Sequence, residues 1–127
     1  MIKKILIALA IVLVLIQFIR PAKNDAGGVV YSMPTGYNVP PEVNVILKPA
    51  CLDCHSNVTH YPWYSNIQPA AWFLANHVKE GKEHLNFSEF TNRRIAYQHH
   101  KFEEIVEMVK EKEMPLPSYT WFGLHPD

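Results

Sequence analysis

The sequence predicts an all-α protein. No segment alternates apolar and polar residues with the period of two that a half-buried strand needs, and no internal repeat is present. Helix punctuation is clear instead: Pro69 opens a helical stretch that Gly81 closes, and Ile105, Val106, Met108 and Val109 form a helical apolar stripe. At 127 residues the chain is sized for one small domain. Twelve Lys and Arg balance twelve Asp and Glu, so no basic face points to nucleic acid. The balance is uneven along the chain. Residues 1–24 hold four basic groups (Lys3, Lys4, Arg20, Lys23) and no acid, leaving eight basic and twelve acidic groups, 8 − 12 = −4, for residues 25–127.

Lys3 and Lys4 precede an apolar run, Ile5 to Ile19, broken only by Gln17. Residues 5–16 show no polar face, so a buried helix of a soluble domain is a poor reading. The run is shorter than the ~20 residues that cross a hydrocarbon core comfortably. It suits an export signal, or a short anchor extended by its flanks. Arg20-Pro21-Ala22-Lys23 makes a poor cleavage site, which favours an uncleaved membrane helix over 1–20. The two lysines orient the N-terminus to the cytoplasm and the rest to the periplasm, giving an inner-membrane-anchored protein. No cysteine near the end of the run offers a lipid attachment point.

Residues 21–40, with Pro21, Gly27, Gly28, Pro34, Gly36 and Pro40, read as a flexible tether. Residues 41–127 form the domain proper. Pro41 starts a short helix to about Leu47 or Lys48. A loop with Tyr61, Trp63 and Tyr64 covers 56–68, and the helix from Pro69 ends at Gly81. Ser88 and Glu89 start another helix reaching about Tyr97, and a last one spans Lys101 to Lys112. Residues 113–127, with three prolines, should be irregular.

Chemistry concentrates at Cys51-Leu52-Asp53-Cys54-His55. This Cys-x-x-Cys-His spacing is that of covalent c-type haem attachment. Each thiol adds its S–H across one haem vinyl group, and the adjacent imidazole reaches the iron through Nε2. A thioredoxin-like pair would need a βαβ context, and half a zinc ribbon would need a second cysteine pair. A bound porphyrin also gives a small core a shared surface to pack on. Tyr61, Trp63, Tyr64, Trp72, Phe73, Leu74 and Phe87 are pocket wall or ordinary core.

Met114 ranks first as the sixth iron ligand, on an irregular segment stiffened by Pro115 and 59 residues after His55. His60, His77, His84, His99, His100 and His125 are rivals. His77 leads them, one turn from Phe73; an open site is the remaining alternative. The Pro69 carbonyl is a candidate acceptor for the second nitrogen of His55. Arg93, Arg94 or the Trp63 indole could meet the haem propionates.

The segments CLDCHSNVTHYPWYSNIQPAAW, HLNFSEF and EMPLPSYTWFGLHP resemble the small haem-binding domain proteins of Bacteroidota and related bacteria. Those are cytochrome c-like, with an N-terminal membrane segment. The resemblance covers most of 40–126 and implies one covalent haem c on Cys51 and Cys54, iron held by His55, and Met114-Pro115 matching the family's Met-Pro segment. It also implies a small cytochrome c-like helical domain. Relatives continue past the His-Pro pair into a further helix, for which Pro126-Asp127 would be the start.

The expected activity is one-electron transfer between unidentified redox partner proteins, with no catalytic residue. The other classes are a haem sensor or peroxidase-like enzyme with an open sixth site, and a haem-free dithiol redox protein using Cys51 and Cys54.

Overall fold

A computed structural model describes residues 1–27 and 32–120. Among the described residues seven α-helices run in order: α1 (Ile2–Ile16), α2 (Met33–Gly36), α3 (Pro41–Leu47), α4 (Asp53–His55), α5 (Ala70–His84), α6 (Ile95–Lys110) and α7 (Pro117–Thr120). A π-helical turn, Lys48–Leu52, joins α3 to α4, and 3-10 turns cover Trp63–Asn66 and Phe90–Asn92. The described residues contain no strand, only an isolated antiparallel bridge between Asp25 and Val58. The all-α expectation holds for them.

None of the fifteen residues of α1 is buried. Among the described residues no helix is long and apolar enough to cross a membrane. The helix stops three residues before Ile19, its end tightening into i→i−3 bonds at Gln17, Phe18 and Ile19, and the Gln17 side chain donates to the Leu13 carbonyl at 2.9 Å and to the Gln68 carbonyl at 3.2 Å.

The segment expected to be a free tether is largely tied down. The Asn24 side chain donates to the Ser56 carbonyl at 2.8 Å and to Thr59 Oγ1 at 2.9 Å, and accepts from Lys82 Nζ at 2.6 Å. Met33 is 5% exposed and its N–H donates to the Phe87 carbonyl at 2.9 Å. Proline and glycine density shows where regular structure breaks, but not whether the irregular chain packs. Folded structure therefore starts well before residue 41.

Around Met33 sits the core: Leu85, Phe87 and Phe90, with Leu47, Cys51, Leu52, Phe102 and Ile105 partly buried against it. Phe90 and Phe102 meet at 5.1 Å between ring centres, and Tyr37 meets Phe102 edge-on at 5.3 Å. Gln98, buried in α6, donates to the Arg93 carbonyl at 2.5 Å and accepts from the Tyr37 hydroxyl.

Two expected helices become one. Residues after Ser88 form only the 3-10 turn, and α6 begins at Ile95 and runs unbroken to Lys110. Gly81, expected to stop α5, lies inside it; the helix continues one turn to His84. Ile105 and Met108 are half-buried as the stripe predicts, whereas Val106 and Val109 are exposed. The irregular C-terminal stretch includes the short α7, while His125, Pro126 and Asp127 lie outside the described residues.

Candidate functional site

Pro49 shapes the backbone that presents the cysteines. It lacks an N–H and its ring crowds the preceding turn, and the helix widens into a π turn over Lys48–Leu52. Cys51 lies in that turn and Cys54 in α4, three residues apart along one continuous helical path. Both are free thiols, half-buried, and Cys51 packs against the core. Burial pushes both thiols up, Cys54 to about 11 with the Asp53 charge adding to it. Dithiol redox proteins lower the attacking thiol instead, so this pair is poorly set for exchange chemistry.

His55 is fixed by α5. Its Nδ1 lies 2.8 Å from the Gly81 carbonyl and 3.1 Å from the Leu85 carbonyl. Carbonyl oxygens only accept, so Nδ1 must carry the ring proton. Nε2 is then left with its lone pair, the form that binds a metal. The expected acceptor, the Pro69 carbonyl, is instead occupied by the N–H groups of Trp72 and Phe73 in the first turn of α5. The His55 carbonyl takes the Phe87 N–H at 2.7 Å, which ties the backbone of residue 55 to the core, and the Phe87 ring lies edge-on to the imidazole with centres 6.4 Å apart.

Gly81 makes this approach possible. A Cβ there would sit 2.9 Å from the Cys54 carbonyl oxygen and 3.4 Å from Cys54 Cβ. Only a residue without a side chain brings the α5 backbone within reach of the imidazole.

Asp53, between the cysteines, is 6% exposed and fully engaged. Its Oδ1 accepts the His60 N–H at 3.2 Å and its Oδ2 the Tyr119 hydroxyl at 2.7 Å, while its carbonyl accepts Thr59 Oγ1 at 2.5 Å. The Tyr119 hydroxyl also lies 2.8 Å from the Pro49 carbonyl. α7 is thereby tied to both ends of the cysteine turn. Met114 lies in the connection leading to α7, half-buried, with its N–H on the Met108 carbonyl at 3.3 Å.

The rival histidines differ in setting. The His60 side chain is 92% exposed beside Asp53, His100 pairs with Glu104 at 3.0 Å on the surface, and His84 and His99 are exposed. His77 is half-buried against Phe73, ring centres 4.2 Å apart, with Nδ1 on the Phe73 carbonyl at 2.8 Å. Arg93 and Arg94 are exposed, Arg93 reaching Glu89 at 3.8 Å, and Trp63 packs edge-on against Tyr64.

A haem fits this donor set. Two free, half-buried thiols precede an imidazole whose free nitrogen is Nε2, and the tautomer is set by backbone carbonyls. Among the described residues no three His, Cys, Asp or Glu side chains converge as they would on a bare metal ion. Sequence reasoning missed Gly81, Leu85, Asp53 and Tyr119. The Gly81 signal was present but reads equally as a helix stop.

A family profile described as a haem-binding domain matches residues 11–127. No curated protein and no solved structure matches the chain.

Proposed function

The chain belongs to the haem-binding domain family, and from that premise we propose a membrane-anchored c-type cytochrome domain that transfers single electrons at the periplasmic face. One haem would be held through thioethers at Cys51 and Cys54, with His55 Nε2 and the Met114 sulfur as the protein ligands to its iron. The observation that carries the proposal is the pair of carbonyls, Gly81 and Leu85, on His55 Nδ1. Bound iron would supply one-electron exchange between Fe(II) and Fe(III).

The chain's own residues do the rest. Gly81 and Leu85 orient the imidazole and, by accepting its proton's hydrogen bond, raise its basicity as a ligand. Phe87, Leu85 and Phe90 keep water from the side of the turn that faces the core. A thioether from Met114 would complete the coordination, raise the potential and leave no open position for a substrate. Residues 1–20 would form the anchor, with Lys3 and Lys4 on the cytoplasmic side. The acidic body would favour redox partners with basic patches.

Absorption spectra of the protein matured with periplasmic haem-attachment machinery test the proposal. A c-type pyridine haemochrome that survives acid–acetone extraction is the expected result. Haem extracted into solvent would leave haem binding intact and overturn covalent attachment.

A second reading rests on His77. With Nδ1 tied to Phe73, its Nε2 is available as a distal acid–base for a sensor or peroxidase-like site. Rapid cyanide or CO binding by the untreated protein would favour it over the electron carrier.

A further inference from the structure

The end of α1 is not loosely connected to the body. Gln68, 3% exposed, donates its backbone N–H to Gln17 Oε1 at 2.9 Å and its side-chain amide to the Ile19 carbonyl at 2.8 Å. Gln17 returns a bond to the Gln68 carbonyl at 3.2 Å, and the Trp72 indole donates to the Ile19 carbonyl at 3.0 Å. Four hydrogen bonds therefore fasten the exit of the apolar helix to the start of α5.

The chain then runs alongside α5. Ile19 meets Trp72, and Asn24 meets Lys82. Five extended residues span roughly 16 Å. Ten helical residues rise about 15 Å. The chain thus passes from the N-terminal end of α5 toward its C-terminal half, and the N-terminal end is the one nearest the exit of α1.

Chemistry changes along that path. Next to the exit, Phe18, Ile19 and Ile67 are 81%, 61% and 47% exposed. Farther along, a groove of about 440 Å³ is lined by Lys23, by Lys79 paired at 3.9 Å with the single carboxylate Glu83, and by Lys82, whose Nζ donates to Asn24 Oδ1. Apolar first and cationic next is the order met on leaving a bilayer through its headgroups. The fifteen residues of α1 rise about 22 Å, short of the ~30 Å hydrocarbon thickness. Phe18, Ile19 and Ile67 extend that apolar length from the body side.

We propose that the α1 exit, Ile67, Trp72 and the lysine groove form a face seated on an anionic phospholipid bilayer. The proposal rests on the anchoring reading above. Apolar side chains of this face enter the interface, and Lys23 and Lys79 meet headgroup phosphates. His55 contacts Gly81, nine residues beyond Trp72, a rise of about 14 Å along α5. The seat thus holds the cysteine–histidine turn at a fixed height instead of letting it range on a tether.

Full-length haem-loaded protein in phosphatidylcholine–phosphatidylglycerol vesicles carrying an acyl-chain diazirine phospholipid tests this. Label sites are mapped by mass spectrometry after illumination. Label in α1 and again within 67–72 is expected. Label in α1 alone overturns the seat and leaves the anchor standing. Label in neither overturns the anchor and the seat together. Lys23→Glu with Lys79→Glu, both surface changes, should lose the 67–72 label and keep the α1 label; an unchanged pattern overturns the headgroup contact.

Discussion

The imidazole of His55 reaches across to α5 and places Nδ1 2.8 Å from the carbonyl oxygen of Gly81. That oxygen also accepts the Leu85 N–H at 2.9 Å, within the helix ladder. One backbone carbonyl thus serves the helix and the candidate iron ligand at once. Its position depends on the missing side chain at residue 81.

Gly81→Ala sets two effects against each other. Alanine gains about 1 kcal/mol of helix propensity over glycine inside a helix. Its Cβ, however, would sit 2.9 Å from the Cys54 carbonyl oxygen, a backbone atom of the turn that carries the motif. Overpacking of that kind costs about 1–3 kcal/mol. The clash should win, lowering the urea midpoint of the variant. A raised midpoint would show that α5 can retreat from Cys54 without loss.

Tyr119 and Asp53 predict a pH signature. Burial first, and then the hydrogen bond to Asp53, hold the Tyr119 phenol well above its ordinary range. In the unfolded chain it loses its proton near pH ~10. Above that pH the unfolded state binds fewer protons than the folded one, so stability falls as pH rises. The contribution is complete below the unfolded value and is lost toward the folded one. Tyr119→Phe removes it, and by leaving the buried Asp53 carboxylate short of a donor should cost about 1–3 kcal/mol at neutral pH. Urea unfolding from pH 7 upward should show wild type and variant converging in alkali. A constant gap would mean that the phenol does not titrate differently on folding.

The motif was legible because covalent haem attachment demands particular residues at fixed spacing, and Cys51, Cys54 and His55 share one turn. Its supports were not. Gly81 reads as a helix stop because close approach and helix termination both ask for glycine, and only the tertiary partner, Cys54, tells them apart. Asp53 occupies a position that the spacing rule leaves free, and its partner Tyr119 comes from a segment with no periodic pattern. Met33, set aside as part of a tether, is core because Phe87 pairs with its backbone. Long-range partners of irregular segments leave no local trace in a sequence.

The sixth ligand separates Met114 from His77 by spectroscopy. Thioether ligation gives oxidised c-type haem a weak far-red charge-transfer band and a raised potential. Met114→Ala should abolish the band and lower the potential, whereas His77→Ala should keep both. A wild type without the band, with a spectrum that Met114→Ala leaves unchanged and His77→Ala alters, would transfer the role to His77, whose Nε2 is available.

Phe87 joins three parts of the fold, and its replacement separates packing from backbone bonding. Its N–H holds the His55 carbonyl at 2.7 Å, its carbonyl takes the Met33 N–H at 2.9 Å, and its ring, 2% exposed, lies 6.4 Å from the His55 ring between centres. Neither backbone bond involves the Phe87 side chain. Phe87→Ala deletes the ring and should cost about 3–5 kcal/mol, a large share of the ~5–15 kcal/mol that stabilises a typical small domain. Phe87→Leu keeps most of the volume and should cost under about 1.5 kcal/mol. If packing beneath His55 governs the site, urea midpoints and haem retention should fall together, strongly for alanine and slightly for leucine. Equal losses in both variants would instead point to the aromatic ring itself, through its edge contact with the imidazole.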